Sequence, residues 1–286
     1  MKDIILDTVI DSVKMLPFLF LSYLIIEYIE KKSSKKIQNM LSSSGKFGPI
    51  VGSLLGCFPQ CGFSVTAASL YAGRVISVGT LIAVFLTTSD EAIPVLISNP
   101  GSLGILFKII LTKLVIGIIF GLVIDYILRK KSSKKDTAKE AKEHIEKMCD
   151  HCDCKHSGVI KSAIKHTVSI FFFILIVSFI LNLIIWLIGD EMLSKILMSG
   201  TIFQPLIASL IGLIPNCASS VLLTELYLNG SISFASIIAG LSSGSGIGLV
   251  VLFKENNNIK ENLKILGTVY LIGIITGFII ELIGII

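Results

Sequence analysis

The chain has 286 residues, of which 53% are hydrophobic and 16% are charged, and its mean hydropathy is +0.85. This composition excludes an ordinary soluble domain of the same length and indicates a chain that lies mostly in lipid. The net charge of +5 does not indicate nucleic-acid binding, because the lysines gather in short hydrophilic segments where they more simply set the orientation of a membrane protein.

Eight apolar blocks follow one another along the chain, four on each side of a long hydrophilic segment. They are 9–29, 47–72, 76–98, 104–128, 167–188, 203–228, 232–253 and 263–286. Several are long enough for a helix that crosses a bilayer, which needs about 20 apolar residues. The predicted domains are therefore a first half, 1–128, a charged Cys/His-rich loop, 129–166, and a second half, 167–286.

The two halves repeat each other at a shift of 156 residues. Without any gap, 18 of the 50 positions from 47 to 96 are identical to their partners. The matches include residue types that chance does not align in a chain rich in Ile and Leu. They are Pro49 with Pro205, Pro59 with Pro215, Cys61 with Cys217 and Tyr71 with Tyr227, and beyond this window Gly117 aligns with Gly273. Duplicated halves are typical of secondary transporters.

Each half contains one apolar block that a proline interrupts. The block 47–72 contains PQC at 59–61, and the block 203–228 contains PNC at 215–217. Proline removes an amide donor and clashes within a helix, and each arm that remains is too short to cross lipid alone. The pattern favours a re-entrant helical hairpin, and a single kinked spanning helix is the alternative.

Positive charge favours the hairpin over the kinked helix. If KKSSKK (31–36) is cytoplasmic, a hairpin also places Arg74 and the basic segment 129–135 in the cytoplasm, as the positive-inside rule requires. Each half then crosses three times, so the second half is inverted. The predicted fold class is an all-α polytopic membrane protein of two inverted repeats, each with three spanning helices and a re-entrant hairpin, ten helical segments in all. The predicted location is the plasma membrane, with the central loop cytoplasmic and both termini external.

The two hairpin tips are expected to meet near the middle of the membrane. Broken backbone is tolerated at that depth where it is buried in protein or lines a cavity, and inverted-repeat transporters hold their substrate there. The polar side chains near the tips are therefore predicted to bind substrate. They are Gln60, Cys61, Ser64, Asn216, Cys217 and Ser220.

Two acids interrupt the apolar block 76–98. Asp90 and Glu91 lie within LTTSDEAIP, and carboxylates inside a membrane are costly and often functional. At 1.5 Å per residue, Asp90 and Lys113 reach similar depths in successive helices, so Lys113 is predicted to pair with these acids and to couple charge to binding. A structural ion pair between packed helices is the alternative. The hydroxyls of Thr87 and Ser245 are predicted to complete the site.

Other acids stand close to the ends of apolar blocks. Glu27, Asp125 and Glu281 are in such positions. A charged side chain near the end of a membrane helix reaches the interface at little cost, so these three are expected to contact water.

The hydrophilic loop contains a dense set of thiols and imidazoles. Thiolate and imidazole bind zinc and softer metals, and thiols stay reduced in the cytoplasm. CDHCDCKH (149–156) is therefore predicted to capture or sense metal, and a low-complexity segment with incidental cysteines is the alternative. The predicted ligands are His144, Cys149, His151, Cys152, Cys154 and His156.

Four motifs together resemble a family of bacterial membrane proteins. They are GCFPQCGFSVTAASLYAGR (56–74), SDEAIPVL (89–96), GLIPNCASSVLLTELY (212–227) and the Cys/His-rich loop. The family is described as ten-helix heavy-metal exporters, variously called arsenic efflux proteins or manganese transporters. The resemblance covers nearly the whole chain and implies efflux of a metal or metalloid, without deciding which.

Ligand chemistry favours one class of substrate. Manganese(II) prefers carboxylate, carbonyl and water oxygens, which Asp90, Glu91 and the hairpin tips offer. A divalent metal ion, manganese above all, is therefore the predicted substrate. An efflux permease for arsenite, an organoarsenical or another small solute, with Cys57, Cys61 and Cys217 as thiol ligands, is the alternative.

The energy source is predicted to be an ion gradient. The sequence lacks the G-x-x-x-x-G-K-[ST] motif of ATPases, so exchange with protons is the simplest coupling. No enzymatic activity is predicted, because no nucleophile stands with a base at catalytic spacing, and no cofactor is predicted beyond the transported ion. The predicted partners are the lipid bilayer and a metal or metalloid ion, with no nucleic acid. A channel is the remaining rival.

Overall fold

The computed structural model describes residues 47–58, 62–89, 92–98, 101–131 and 203–284, with single positions between 13 and 24 and between 160 and 180. Within these residues the regular structure is helical. The first half contains α1 (Gly48–Gly56), α2 (Gly62–Ala72), α3 (Val78–Thr87), α4 (Ala92–Ser98) and α5 (Leu103–Lys131). The second half contains α6 (Gln204–Gly212), α7 (Cys217–Leu228), α8 (Phe234–Ser243), α9 (Ile247–Glu255) and α10 (Ile259–Ile283).

Three stretches of the described residues are long and apolar enough to cross a membrane. They are Leu103–Leu128, Phe234–Glu255 and Ile259–Ile283. Large apolar side chains such as Phe107, Ile119 and Leu271 stay exposed along α5 and α10, as on a surface that faces lipid rather than water. The described residues therefore form an all-helical structure, as predicted, with apolar stretches of membrane length.

Matching residues begin the helices of the two halves. Pro49 and Pro205 stand in the first turn of α1 and α6, where the amide that proline lacks has no helical partner anyway. The hydroxyls of Ser77 and Ser233 cap α3 and α8, accepting bonds of 3.1 and 3.2 Å from the amides three residues later. Equivalent residues of the two halves thus set equivalent helix starts.

The two predicted interruptions at proline fall between helices. α1 ends at Gly56 and α2 begins at Gly62, while α6 ends at Gly212 and α7 begins at Cys217. The four arms have 9, 11, 9 and 12 residues, too few to cross lipid alone. The side on which each pair of arms enters the membrane, and the inversion of the second half, stay predictions.

The next block in each half differs from the prediction of one continuous helix. α3 ends at Thr87 and α4 begins at Ala92, while 244–246 separate α8 from α9. Thr88 leaves the helix with φ −56° and ψ 128°, and its hydroxyl bonds to a carbonyl of the preceding turn over 2.8 Å. Gly246 has φ 54°, a conformation that favours glycine. Runs of Thr, Ser and Gly therefore interrupt blocks that their hydrophobicity alone describes as continuous.

The helices of each half pack in the same way. α3 lies between α1 and α5, and α8 lies between α6 and α10. Glycines permit the close approach, since a Cβ at Gly117 would lie 2.5 Å from Thr87 Cγ2 and one at Gly273 would collide with Ser243 Oγ. The two halves also contact each other, since α2 packs along α9 and α7 packs against α4. The buried core therefore contains residues from both halves.

Asp125 differs from its prediction of a water-facing acid. It is only 6% exposed, and its carboxylate accepts bonds from Ser77 Oγ (2.6 Å) and the Gly79 amide (2.9 Å) at the start of α3. A carboxylate satisfies the unpaired amides of a helix N-terminus and its partial positive charge, which explains the burial. Glu281 accepts a bond from Ser233 Oγ (3.0 Å) at the equivalent place, but it stays exposed.

Candidate functional site

The unwound residues of the two interrupted helices meet inside the bundle. A small cavity of about 20 Å³ lies between them, close to the size that holds a single water molecule. Its polar lining comes from the break after α3, the break after α8, and the residues at the start of α7. The polar and glycine lining residues are Thr88, Ser89, Gly212, Asn216, Ser219, Ser220, Gly240, Gly244 and Gly246.

Lys113 of α5 is buried beside this cavity. Its side chain is 0% exposed, and its ammonium donates hydrogen bonds to the carbonyl oxygens of Thr88 and, over 2.7 Å, of Leu241. Both acceptor residues line the cavity, and they come from different halves. A buried ammonium is costly unless it is well bonded, and these two carbonyl groups help to stabilise its charge.

The two carbonyl groups stand at the ends of helices. Thr88 follows the last residue of α3, and Leu241 lies in the last turn of α8. The C-terminal end of a helix carries a partial negative charge on its unsatisfied carbonyls and favours a cation. The ammonium of Lys113 therefore occupies a position with the electrostatics of a cation site.

Hydroxyl and amide oxygens add to the polar character of this region. Ser219 Oγ donates to Asn216 O over 2.8 Å, and this bond satisfies a carbonyl just before α7. Ser242 and Ser245 are at most 1% exposed, and their oxygens have no hydrogen-bond partner within the part of the chain that the structure describes. Since an unpaired buried hydroxyl is costly, Ser245, which stands between the lining residues Gly244 and Gly246, is a candidate for a ligand contact.

Comparison with known proteins places the chain in a family. The family model ArsP_2, described as "Putative, 10TM heavy-metal exporter", matches residues 1–188 and 168–285. The chain belongs to the ArsP_2 family. No curated protein and no solved structure matches it. This match confirms the predicted resemblance. The ArsP_2 chain is a multi-pass membrane protein. Its family implies a transporter rather than an enzyme, with contacts to lipid and to heavy metal.

The structure brings several predicted site residues of the ArsP_2 chain together. Asn216 and Ser220 line the cavity, and Lys113 bonds to two other lining residues. Thr87 precedes the lining residue Thr88, and Ser245 stands between two lining glycines.

Ser64 lies elsewhere. It is fully buried on α2, where a Cβ on Gly248 would approach its backbone carbon to 2.8 Å. The packing of α2 along α9 therefore uses this serine for close helix contact, and Ser64 is not among the residues that line the cavity.

The remaining predicted ligands lie outside the described residues. Cys217 begins α7, but its side chain is outside them too. Within the described ranges, no three His, Cys, Asp or Glu side chains come together as a metal site. The other predicted ligands of this group are Gln60, Cys61, Asp90, Glu91, His144, Cys149, His151, Cys152, Cys154 and His156.

The lining includes residues that sequence reasoning missed. The hydroxyls of Thr88, Ser89 and Ser219 and the backbone of Gly244 and Gly246 belong to it. The signal for the breaks was present, since TTS at 87–89 and SSGSG at 242–246 are runs of poor helix formers within apolar blocks. The Leu241 carbonyl gave no signal, because any residue type presents a backbone oxygen.

Proposed function

We propose that this ArsP_2 chain is a secondary-active exporter of a divalent metal ion, manganese above all, which it exchanges for protons. The ion binds at the cavity between the two helix breaks. The observation that carries the proposal is the buried ammonium of Lys113, held by one helix-end carbonyl from each half beside a polar cavity. A membrane protein that builds such a place for a cation at the junction of its halves is suited to move cations.

The oxygen chemistry of the cavity supports manganese. Its polar side chains are hydroxyls and one amide, and manganese(II) prefers oxygen ligands. Asp90 and Glu91 follow Ser89 directly in the sequence, so their carboxylates would add negative charge to the same place. Soft metals would instead require thiolate ligands, which the described lining does not contain.

Equivalent contacts in the two halves support an inverted-repeat mechanism. The helix caps, the glycine contacts and the packing around α3 and α8 recur at a shift of 156 residues. In transporters built this way, one repeat rocks against the other around a fixed midplane site. Access to the cavity would then alternate between the two faces of the membrane.

The proposed cycle uses the charge of Lys113. With no metal bound, its ammonium balances the partial negative charge of the helix-end carbonyls and the charge of Asp90 and Glu91. A metal ion that enters the cavity balances these charges in place of the ammonium. External protons then neutralise Asp90 and Glu91, and the ion is released. The Cys/His loop gathers metal on the cytoplasmic side before it enters.

Total-element analysis of expressing cells tests the proposal. Cells are challenged in turn with manganese, zinc, cadmium, iron and arsenite, and wild type is compared with the double variant Asp90→Asn/Glu91→Gln. Loss of one divalent metal from wild-type cells but not from the variant supports the proposal and names the substrate. A fall in arsenite alone, with equal behaviour of the variant, would replace it with a thiol-based permease. If no element changes, metal export is rejected.

A further inference from the structure

A cluster of polar side chains joins the two halves away from the cavity. Arg74, just after α2, donates two hydrogen bonds to Glu261 in the first turn of α10, from Nη1 to Oε1 (2.7 Å) and from Nη2 to Oε2 (2.8 Å). The hydroxyl of Tyr71 also donates to Glu261 Oε1. The paired side chains are only 22% and 24% exposed. A bidentate, half-buried pair of this kind is worth more than an ordinary surface salt bridge.

Buried amides hold the acid of this cluster in place. The side chains of Asn256 and Asn262 are almost fully buried and bond to each other over 2.7 Å, while Asn262 also donates to the Asn256 carbonyl over 2.8 Å. Asn258 caps α10 by accepting a bond from the Glu261 amide. The start of α10 is thus fixed, and Glu261 presents its carboxylate to the opposite half.

The backbone of Arg74 shows that its side chain is retained at a cost. Arg74 has φ 57°, and it alone among the described non-glycine residues has a positive φ. The equivalent residue of the second half is Gly230, with φ 70°. The left-handed conformation is unfavourable for a residue with a Cβ atom, so the arginine stands where glycine would fit better. Strain of this kind often accompanies a function of the side chain.

The cluster has no counterpart in the repeat. A shift of 156 residues relates Arg74 to Gly230 and Glu261 to Ile105, so the charges are missing at the other end. Tyr227, the equivalent of Tyr71, instead packs on Phe234 with ring centroids 6.1 Å apart. Two equivalent positions therefore differ, one joined by charge and one packed by apolar contacts.

The cluster closes the end of a pair of packed helices, one of which, α9, begins at the candidate site. α9 starts directly after Gly246, which lines the cavity, and α2 packs along it. Both helices lead to the cluster, since Arg74 follows α2 and Asn256 follows α9. At 1.5 Å per residue, the 11 residues of α2 carry the chain about 16 Å away from its break. Separation of the halves at this end would open a path along these helices.

We infer that Arg74 and Glu261 form a latch that holds the two halves together on one face of the membrane, and that this latch must open before an ion reaches the cavity from that face. Under the predicted topology this face is cytoplasmic, so the latch controls uptake of the ion that is to be exported. The inference rests on the proposed function. The hydrogen bond with Glu261 raises the pKa of Arg74, so the guanidinium stays charged and the latch opens by separation rather than by deprotonation.

Access to the cavity tests the latch without any transport assay. The six native cysteines are replaced by serine, Ser219→Cys is introduced as a reporter in the cavity lining, and a membrane-impermeant maleimide is applied to intact cells and to inside-out vesicles. We expect slow maleimide labelling of the reporter from the Arg74 face. The labelling rate is expected to rise about tenfold in Glu261→Gln, because this variant removes the charge-assisted pair with Arg74. Arg74→Glu combined with Glu261→Arg is expected to slow labelling again.

The controls separate a latch from a general loss of structure. Glu281→Gln, at the exposed far end of α10, is expected to leave labelling at the parent rate, and gel filtration checks that each variant stays monodisperse. Unchanged labelling in Glu261→Gln, or fast labelling that the swapped pair fails to slow, overturns the latch.

A reversible cross-link tests the need for opening. The double variant Arg74→Cys/Glu261→Cys is joined by a cleavable bifunctional maleimide, and metal export is measured before joining, after joining and after cleavage. We expect export to stop in the joined protein and to return on cleavage. Export that continues while the halves are joined contradicts the inference. If the unmodified wild type moves no metal, the proposed function fails, while the labelling experiment still decides whether the latch exists.

Discussion

The two halves of the chain share one scaffold and differ in their chemistry. The residues that set helix starts and close packing recur, as Pro49 with Pro205, Ser77 with Ser233, and Gly117 with Gly273. The charged residues of the candidate site and of the latch do not recur. At the shift of 156 residues, Lys113 aligns with Val269 and Arg74 aligns with Gly230. Asp90 and Glu91 align with Gly246 and Ile247. Packing is therefore under the same constraint in both halves, while the proposed cation site and the latch use charged residues that have no counterpart at the equivalent position of the repeat.

The largest effect is expected from removal of the unmatched lysine. Lys113→Met deletes the ammonium that bonds to the Thr88 and Leu241 carbonyls, and the loss of a charged hydrogen bond is worth about 1.5–3 kcal/mol. We expect the export rate to fall about tenfold or more, measured as initial metal efflux from loaded vesicles. The matched control is Lys108→Met, an exposed position on the same helix, for which we expect wild-type export. Equal loss in both variants would remove Lys113 from the mechanism.

A second test compares glycines that the two halves share. Gly117→Ala on α5 and Gly273→Ala on α10 place a Cβ into occupied space, and overpacking costs about 1–3 kcal/mol. We expect both to lower the melting temperature of purified protein by similar amounts. Gly104→Ala and Gly267→Ala meet nothing within 4 Å, so these controls are expected to hold or raise it. Sensitivity in only one half would show that the scaffold is not shared.

The helix caps provide a smaller difference between the halves. Asp125→Asn weakens two bonds of a buried carboxylate, whereas Glu281→Gln changes an exposed one. We expect a loss of about 1–3 kcal/mol in the first variant and about 0.5 kcal/mol or less in the second, measured as the shift of the thermal unfolding midpoint. The reverse order would mean that burial does not decide the strength of these caps.

The smallest effect is expected from the loop that belongs to neither half. Deletion of 144–156 removes no residue of the described cavity lining or of the latch, so the maximal export rate is expected to hold. We expect a higher metal concentration at half-maximal export, because capture is lost while transport remains. A fall in the maximal rate with unchanged half-saturation would give the loop a direct part in the transport step.

Much of the fold was readable from the sequence, because its signals are local. Composition predicts an all-helical membrane chain, and the prolines of PQC and PNC predict interruptions that coincide with the ends of α1, α2, α6 and α7. The repeat follows from identical residues at one fixed shift. These features depend on single residues or short runs, which act in the same way wherever the chain folds.

The rest depends on contacts between distant segments. The breaks at Thr88 and Gly246 lie within blocks whose hydrophobicity predicts continuous helices. Only the structure shows that both breaks line one cavity. Two partners of Lys113 are backbone carbonyls, which every residue type carries, so the sequence gives no sign of them. Glu261 stands 187 residues from Arg74, and its position near a helix start predicts a solvated acid rather than a bond across the halves.

The packing of helices from one half against helices of the other has a consequence for how the protein is synthesised and assembled. α2 packs along α9, and α7 packs against α4, so neither half completes its core from its own residues. The first half can therefore complete its core only after the second half has been synthesised. Two separate polypeptides divided within the 129–166 segment should therefore accumulate only when they are expressed together, each protecting the other from proteolysis. The connecting loop would then be dispensable for assembly, which leaves its composition free to serve metal handling.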